Sequence, residues 1–365
     1  MSISLSNSQN RPKFGPSVMY GSIVSTSMDV VPPQRATIND VARAAGVSVA
    51  TVSKVINGRY GVAPATFTRV MGVVSELGYE SSLVASSLRR SRTNVIGILV
   101  AEFEPFSTEL LKAIAAAAYG SGYELLAYSG PIADESRVGW ELRSLSRLAG
   151  TLIDGAIIVT PTVLLNSSSI PVVAIDPHTG HGGPSTIGSD NVAGAKIATE
   201  HLISLGHRRI AHIRGRTDLE SANLRETGYR ESLAEHGIPF DPTLVRDGNY
   251  RAPQTDDAAR ELLSRADRPT AIFAANDLSA IRVLDIAAEL GIRVPEELSV
   301  IGFDNIPEAA ASTPQLTTVA QPLKEMGAQA LEMLLELLRG DDTVHHVHLP
   351  AELIVRASTG PAPRD

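Results

Sequence analysis

Residues 37–57 read TINDVARAAGVSVATVSKVIN, and this stretch decides the organisation of everything around it. Thr37 followed three residues later by Asp40 is a capping-box pattern, placed where an apolar helical period begins with Ile38, Val41, Ala42 and Ala45. Gly46 stops that helix, because glycine alone takes a left-handed C-terminal position without steric cost. Ser48 can cap a second helix, in which Val52, Val55 and Ile56 face inward and Val49, Ala50, Ser53 and Lys54 face outward. Two short helices joined by a tight glycine turn form a helix-turn-helix, whose second helix fits a DNA major groove. The plain alternative is an ordinary helical hairpin in a core.

Charge separates the two readings. The 365-residue chain carries a formal net charge of −8, which taken alone speaks against nucleic acid. Between Arg35 and Thr93, however, eight Arg and Lys stand against Asp40, Glu76 and Glu80, whereas residues 94–365 hold 22 basic and 36 acidic residues. A basic head on an acidic body is the asymmetry expected when one end alone meets phosphates. The length suffices for two or three domains with sizeable cores. With no cysteine, disulfides and thiolate metal sites are excluded. No apolar run reaches the roughly 18 residues of a membrane span, and residues 1–33 read as a Ser/Asn/Pro-rich disordered tail rather than a signal peptide, with Met28 a candidate start.

Along the chain, Asn57-Gly58 is a turn signal and Pro64 opens a third helix, Thr66–Leu77, ended by Gly78. From Thr93 onward, apolar runs alternate with amphipathic stretches. Val95–Val100, Leu125–Tyr128, Ala156–Val159 and Val172–Ile175 read as buried strands, with Leu110–Ala118 and Leu142–Leu148 as helices. A second series, Ile210–His212, Leu244–Arg246, Ile272–Ala274 and Ser299–Phe303, is separated by helices such as Ala193–Leu205 and Leu278–Leu290. Alternating βα units imply parallel sheets covered on both faces, and two series imply two doubly wound subdomains with a ligand crevice at the strand carboxyl ends.

The letters carry a resemblance. Asp40-Val41-Ala42, Ala45-Gly46-Val47-Ser48, Thr51-Val52-Ser53 and Val55-Ile56-Asn57-Gly58 resemble the DNA-binding head of the lactose/galactose repressor family, and the likeness continues to about residue 357. It implies an α/β fold with a small all-α helix-turn-helix head at 34–80, a hinge helix at 81–93, and an effector-binding and dimerisation domain of periplasmic-binding-protein type at 94–358. Lobe one is expected at 94–190 and 319–345 and lobe two at 191–318 and 346–358, with passages near Asn191, Thr318 and His345. It also implies a transcription regulator, a repressor in the first reading, bound as a homodimer to a near-palindromic double-stranded operator and released by a small sugar. Purine or protein corepressors and a sugar-binding protein without a regulatory role are the alternatives. No leucine heptad tail follows the Leu353–Arg356 strand, so a dimer is expected. No cofactor and no membrane partner are expected, and the site of action is the cytoplasm, at the nucleoid.

Position by position, the resemblance puts Val49, Ala50 and Lys54 where bases are read. Lys can bond guanine, while Val and Ala can only touch a thymine methyl. Thr51, Ser53 and Asn57 are read as phosphate-backbone contacts, and Thr37 and Ser48 complete the set. Leu88 is the expected minor-groove wedge. In the body, Asp176, Arg225, Asn276 and Asp304 are expected to line the cleft and bond sugar hydroxyls, with Asn223 in the same stretch as Arg225. Tyr250 is expected to cover the ring, and Phe106 lies in the loop after the first strand. Carboxylates accepting, an Arg fork donating and an aromatic face suit a polyol. His345, His346 and His348 alternate on an extended segment and make a poor metal set, while His178 and His181 read as surface residues of a glycine-rich loop. No nucleophile elbow, phosphate loop or zinc-protease motif is present, so no catalytic role is expected.

Overall fold

The computed structural model describes residues 36–56, 60–79, 92–130, 139–165, 168–178 and 183–364. The chain divides into two compact units, residues 1–81 and 82–365. The tail at 1–33, the hinge helix, Asn57, Leu88 and His181 fall outside the described residues.

The first unit holds α1 (Ile38–Ala45), α2 (Val49–Ile56) and α3 (Pro64–Glu76). Thr37 forms the full capping box: the Asp40 amide donates to the Thr37 hydroxyl, and the Thr37 amide donates to Asp40 Oδ2 at 3.0 Å. Gly46, at φ +63°, takes the left-handed turn that reverses the chain into α2. The apolar stripes then meet: Val41, Ala42 and Ala45 of α1, Val52 and Val55 of α2 and Val70 of α3 are all buried together.

The second unit is built on two six-stranded sheets. Lobe one contains β1 (Val95–Val100), α4 (Pro105–Ala118), β2 (Glu124–Ser129), α5 (Trp140–Leu148), β3 (Gly155–Val159), β4 (Val172–Ile175) and β5 (Ser185–Ser189). Lobe two contains α6 (Asn191–Ser204), β6 (Ile210–Arg214), α7 (Glu220–Glu235), β7 (Val245–Asp247), α8 (Ala252–Leu263), β8 (Ala271–Ala274), α9 (Asp277–Glu289), β9 (Ser299–Asp304), α10 (Pro307–Ala311) and β10 (Thr317–Ala320). The chain then returns through α11 (Leu323–Arg339) and β11 (His346–Leu349) before closing on β12 (Glu352–Ile354). The sheet orders are β11-β5-β4-β3-β1-β2 and β12-β10-β9-β8-β6-β7. Every pairing is parallel except β10 with β12.

Strands β1, β3, β4, β8 and β9 are buried along their whole length, which is why they read as continuous apolar runs rather than alternating ones. Each sheet is covered on both faces by separate apolar clusters, as doubly wound sheets require.

The chain passes between lobes three times. The first passage is at Asp190-Asn191. The second comes after Ala320, two residues beyond Thr318, because β10 pairs with β9 through Ala320. The third comes after Leu349 rather than near His345, because His346–Leu349 pairs with β5 and so belongs to lobe one. The segment expected to open lobe two therefore closes the edge of lobe one.

Candidate functional site

In the head, helix geometry sorts the expected DNA-binding residues. Ala50 and Lys54 are exposed and stand one turn apart on α2, so they share a face. Val49 is different: it packs partly against the three-helix core and offers the outer face only part of its side chain. Thr51 and Ser53 are half-buried. The Ser48 hydroxyl accepts from the Thr51 amide at 3.1 Å and sits 2.9 Å from the Thr51 hydroxyl, so it caps α2. Thr37 is committed to its capping box.

In the body, a cavity of about 420 Å³ opens between the lobes at the carboxyl ends of the strands. Phe106, Asp176, Arg225, Tyr250, Asn276 and Asp304 all line it. Five of its residues, Thr160, Asp176, Asn249, Tyr250 and Asp304, hold positive φ without being glycine. Such backbone is costly and persists only where the surroundings enforce it. Here it turns side chains at strand ends into the cleft.

The polar centre is a chain of bonds that runs across two of the passages between lobes. Arg225, on α7 and 3% exposed, donates through Nε to Asn191 Oδ1 at 2.8 Å and through Nη1 to the Ala275 carbonyl. Its guanidinium lies 3.8 Å from the centroid of the Phe303 ring and 3.6 Å from Asp304 Oδ1. Gln321 Nε2 donates to Asp304 Oδ1 at 2.7 Å, and Gln321 Oε1 accepts from the Ser189 hydroxyl at 2.6 Å. Asn191 Nδ2 reaches Asp176 Oδ1 at 3.5 Å. Ser189 and Asn191 flank the first passage and Gln321 sits in the second, so this chain of contacts joins Asp304 and Arg225 to two of the passages between lobes.

Burial raises the Asp304 carboxyl to about 6 despite Arg225 and Gln321, and Asp277 behind it is pushed well above the usual carboxylate range by burial and by the Asp304 charge. Asp277 is held by the Thr318 hydroxyl and the Ile306 amide, which donates at 2.9 Å. Asn276 caps α9, its Oδ1 accepting from the Ser279 amide at 3.0 Å.

Tyr250 is half-buried and seated against Gly215, where a Cβ would lie 2.1 Å from the ring. Only glycine leaves room for it. Phe106 stands in the first turn of α4 rather than in a loop, and is also part of the lobe-one core.

Two expectations fail by geometry. Asn223 is exposed, bonds the Thr217 carbonyl at 3.0 Å and does not line the cavity. Ser221 does, because it lies four residues before Arg225 on α7 and shares its face, while Asn223 points nearly opposite. His178, expected at the surface, lines the cleft, and its Nδ1 is shut off from solvent without a hydrogen-bond partner. Burial lowers its pKa and so disfavours the protonated ring. Thr162 was also missed. Its amide and hydroxyl donate to Oε1 of Glu141, a fully buried carboxylate on α5 that fixes this part of the wall. Among the described residues no cluster of three or more His, Asp or Glu could hold a metal, and no helix is long and apolar enough to cross a membrane.

Residues 37–82 match the family model described as bacterial regulatory proteins, lacI family, and residues 199–359 match a periplasmic binding protein-like domain. The HTH-type transcriptional repressor PurR of Photobacterium profundum is 34% identical over 337 residues, covering 88% of this chain and 98% of that protein. The HTH-type transcriptional regulator DegA of Bacillus subtilis (strain 168) is 36% identical, covering 90% and 99%. Among solved structures, a transcriptional regulator CelR–cellobiose complex aligns at 32% identity and a TM-score of 0.65, over 89% of this chain and all of that one. The Lac repressor dimer bound to operator and an anti-inducer aligns at 26% identity and a TM-score of 0.74, over 90% of this chain and all of that one. With the head matched by the family model and relatives 34% and 36% identical over 98% and 99% of their own length, the chain belongs to the lacI family of bacterial regulatory proteins.

Proposed function

We propose that the protein is a ligand-controlled transcriptional repressor that binds a near-palindromic operator as a homodimer and is released by a sugar seated between the lobes. The observation that carries this reading is the bonded chain Ser189–Gln321–Asp304–Arg225–Asn191, which joins the cleft to two of the passages between lobes. A polyol suits these groups. Asp176 and Asp304 accept from hydroxyls, Arg225 donates to ring or hydroxyl oxygens, and Tyr250 offers an apolar face. The solved relatives that hold cellobiose, ribose and D-xylulofuranose support the choice.

A ligand that bonds both walls favours the closed arrangement of the lobes, and it acts only through its differential affinity for the two states. On DNA, Ala50 and Lys54 read bases, Val49 contributes through its exposed part, and Thr37, Ser48, Thr51, Ser53, Asn57 and Leu88 act at the backbone or the minor groove. The place of action is the cytoplasm.

A second reading, a purine effector, is favoured by the curated PurR relatives and by two aromatic residues, Phe106 and Tyr250, on the cavity wall. Thermal unfolding against mono- and disaccharides and purine bases separates the two. A ligand at 100 times its Kd stabilises the protein by about 2.7 kcal/mol. A shift with a sugar class supports the first reading, and a shift with purines alone replaces it with the second.

A further inference from the structure

We infer that the effector carries no negative charge, because Glu102 already occupies the place in the cleft where an anion would bind. This rests on reading the cavity as the effector site.

An anion entering the cleft from the lobe-two side would be drawn first to the start of α8. That helix begins with Ala252 and Pro253 on the cavity wall, has no side-chain cap and no acid in its first turn, and is preceded by Arg251. Unmatched amide dipoles beside a guanidinium are a standing invitation to phosphate or carboxylate. Across the cleft, Glu102 from the loop after β1 places Oε1 3.5 Å from Arg251 Nη2. Lobe one thus supplies the anion itself.

The other cations of the cavity are also answered. Arg216 meets Asp218, with Nε 3.0 Å from Oδ1, and the charge of Arg225 is answered by Asp304, whose Oδ1 lies 3.6 Å from Nη1. A second helix reaches the site with its own acid at the start: Glu104, the N-cap residue of α4, lines the cavity. Of the other groups on the wall, Asp176 adds a further carboxyl and Tyr250 a phenol, and burial disfavours the protonated form of His178. A phosphate ester or sugar acid would therefore meet carboxylates on both walls, and like charges facing each other select strongly against such ligands. An uncharged molecule meets acceptors and donors it can satisfy.

The test is thermal unfolding and calorimetric titration of the full-length protein and its Glu102→Gln variant. The probes are inorganic phosphate, glucose 6-phosphate, ribose 5-phosphate and inosine 5′-monophosphate, each paired with glucose, ribose or hypoxanthine. The wild-type protein should respond to none of the anions. Glu102→Gln should bind at least one phosphate ester about tenfold more tightly than wild type, and that gain should fade with added salt. An anion that stabilises the wild type more than its uncharged counterpart overturns the inference. So does a Glu102→Gln variant that folds, as judged by its own melting transition, yet gains nothing for any anion. Hypoxanthine binding without sugar binding would remove the sugar reading and leave this inference intact.

Discussion

Gly215→Ala offers a direct test of how the cleft is built. A Cβ at residue 215 would lie 2.1, 2.4 and 2.5 Å from Cζ, Cε2 and Oη of Tyr250, the three nearest atoms it would meet. The backbone of Gly215 lies outside the left-handed region, so alanine brings no conformational strain of its own. To restore ordinary contact the ring must retreat by about 1 Å or more, and the space available to it is the cavity. Overpacking costs typically about 1–3 kcal/mol. Because the ring has a void to enter, we expect the lower half of that range and a melting temperature lower by roughly 3–6 °C.

The decisive form is a double-mutant cycle. Tyr250→Ala removes the clashing ring, so Gly215→Ala should cost almost nothing in that background, a coupling of about 1 kcal/mol or more. The displaced ring should also weaken binding of the sugar that stabilises the wild type, while operator affinity without ligand stays unchanged. Additive costs within about 0.5 kcal/mol, or an unaltered melting temperature for Gly215→Ala alone, would refute this packing of Tyr250.

Further outcomes follow from the same geometry. The Asp304 carboxyl, near 3.8 when unfolded, is raised to about 6 by burial. The native state therefore holds an extra proton between those values, and stability falls as pH rises from about 4 to 6, by at most about 3 kcal/mol. Melting curves across this window should show that slope in the wild type and a shallower one in Asp304→Asn, where the carboxyl of Asp277, raised chiefly by burial, still contributes. Thr37→Ala removes the capping box of α1 and should cost the head about 1 kcal/mol, seen as faster amide exchange in α1 with the body unaffected. Lys54→Ala should relax discrimination at one base pair per half-site, worth about 1–3 kcal/mol, in binding to single-substituted operators. Equal weakening on every sequence would make Lys54 a phosphate contact instead.

Legibility followed the physics of each element. The head was readable because its capping box, glycine stop and apolar stripe are local signals. Strands buried on both faces announced themselves as apolar runs. Ser185–Ser189 did not, because its buried positions carry Ser and Thr that bond across the sheet edge and the passage between lobes. Strand β11 was read as a strand-like alternation but placed in the wrong lobe, since only the distant pairing with β5 assigns it. Within the cleft, residues at strand ends were legible, whereas Asn223 needed the helical phase set by Ser221 and Arg225. His178 lies two residues beyond the left-handed Asp176, and no periodicity reports where the chain goes after such a turn. Gln321 carried no motif. Its role comes from sitting in a passage whose position depends on the register of β10.

The central claim is that occupancy of the cleft alters DNA binding. The most direct measurement is the affinity of the full-length protein for a palindromic sequence enriched from randomised duplex DNA, titrated by fluorescence anisotropy at fixed salt with and without the sugar that stabilises the protein. We predict at least about a tenfold loss of operator affinity at saturation, a coupling of about 1.4 kcal/mol. Operator affinity that stays unchanged with the cleft saturated would contradict the account.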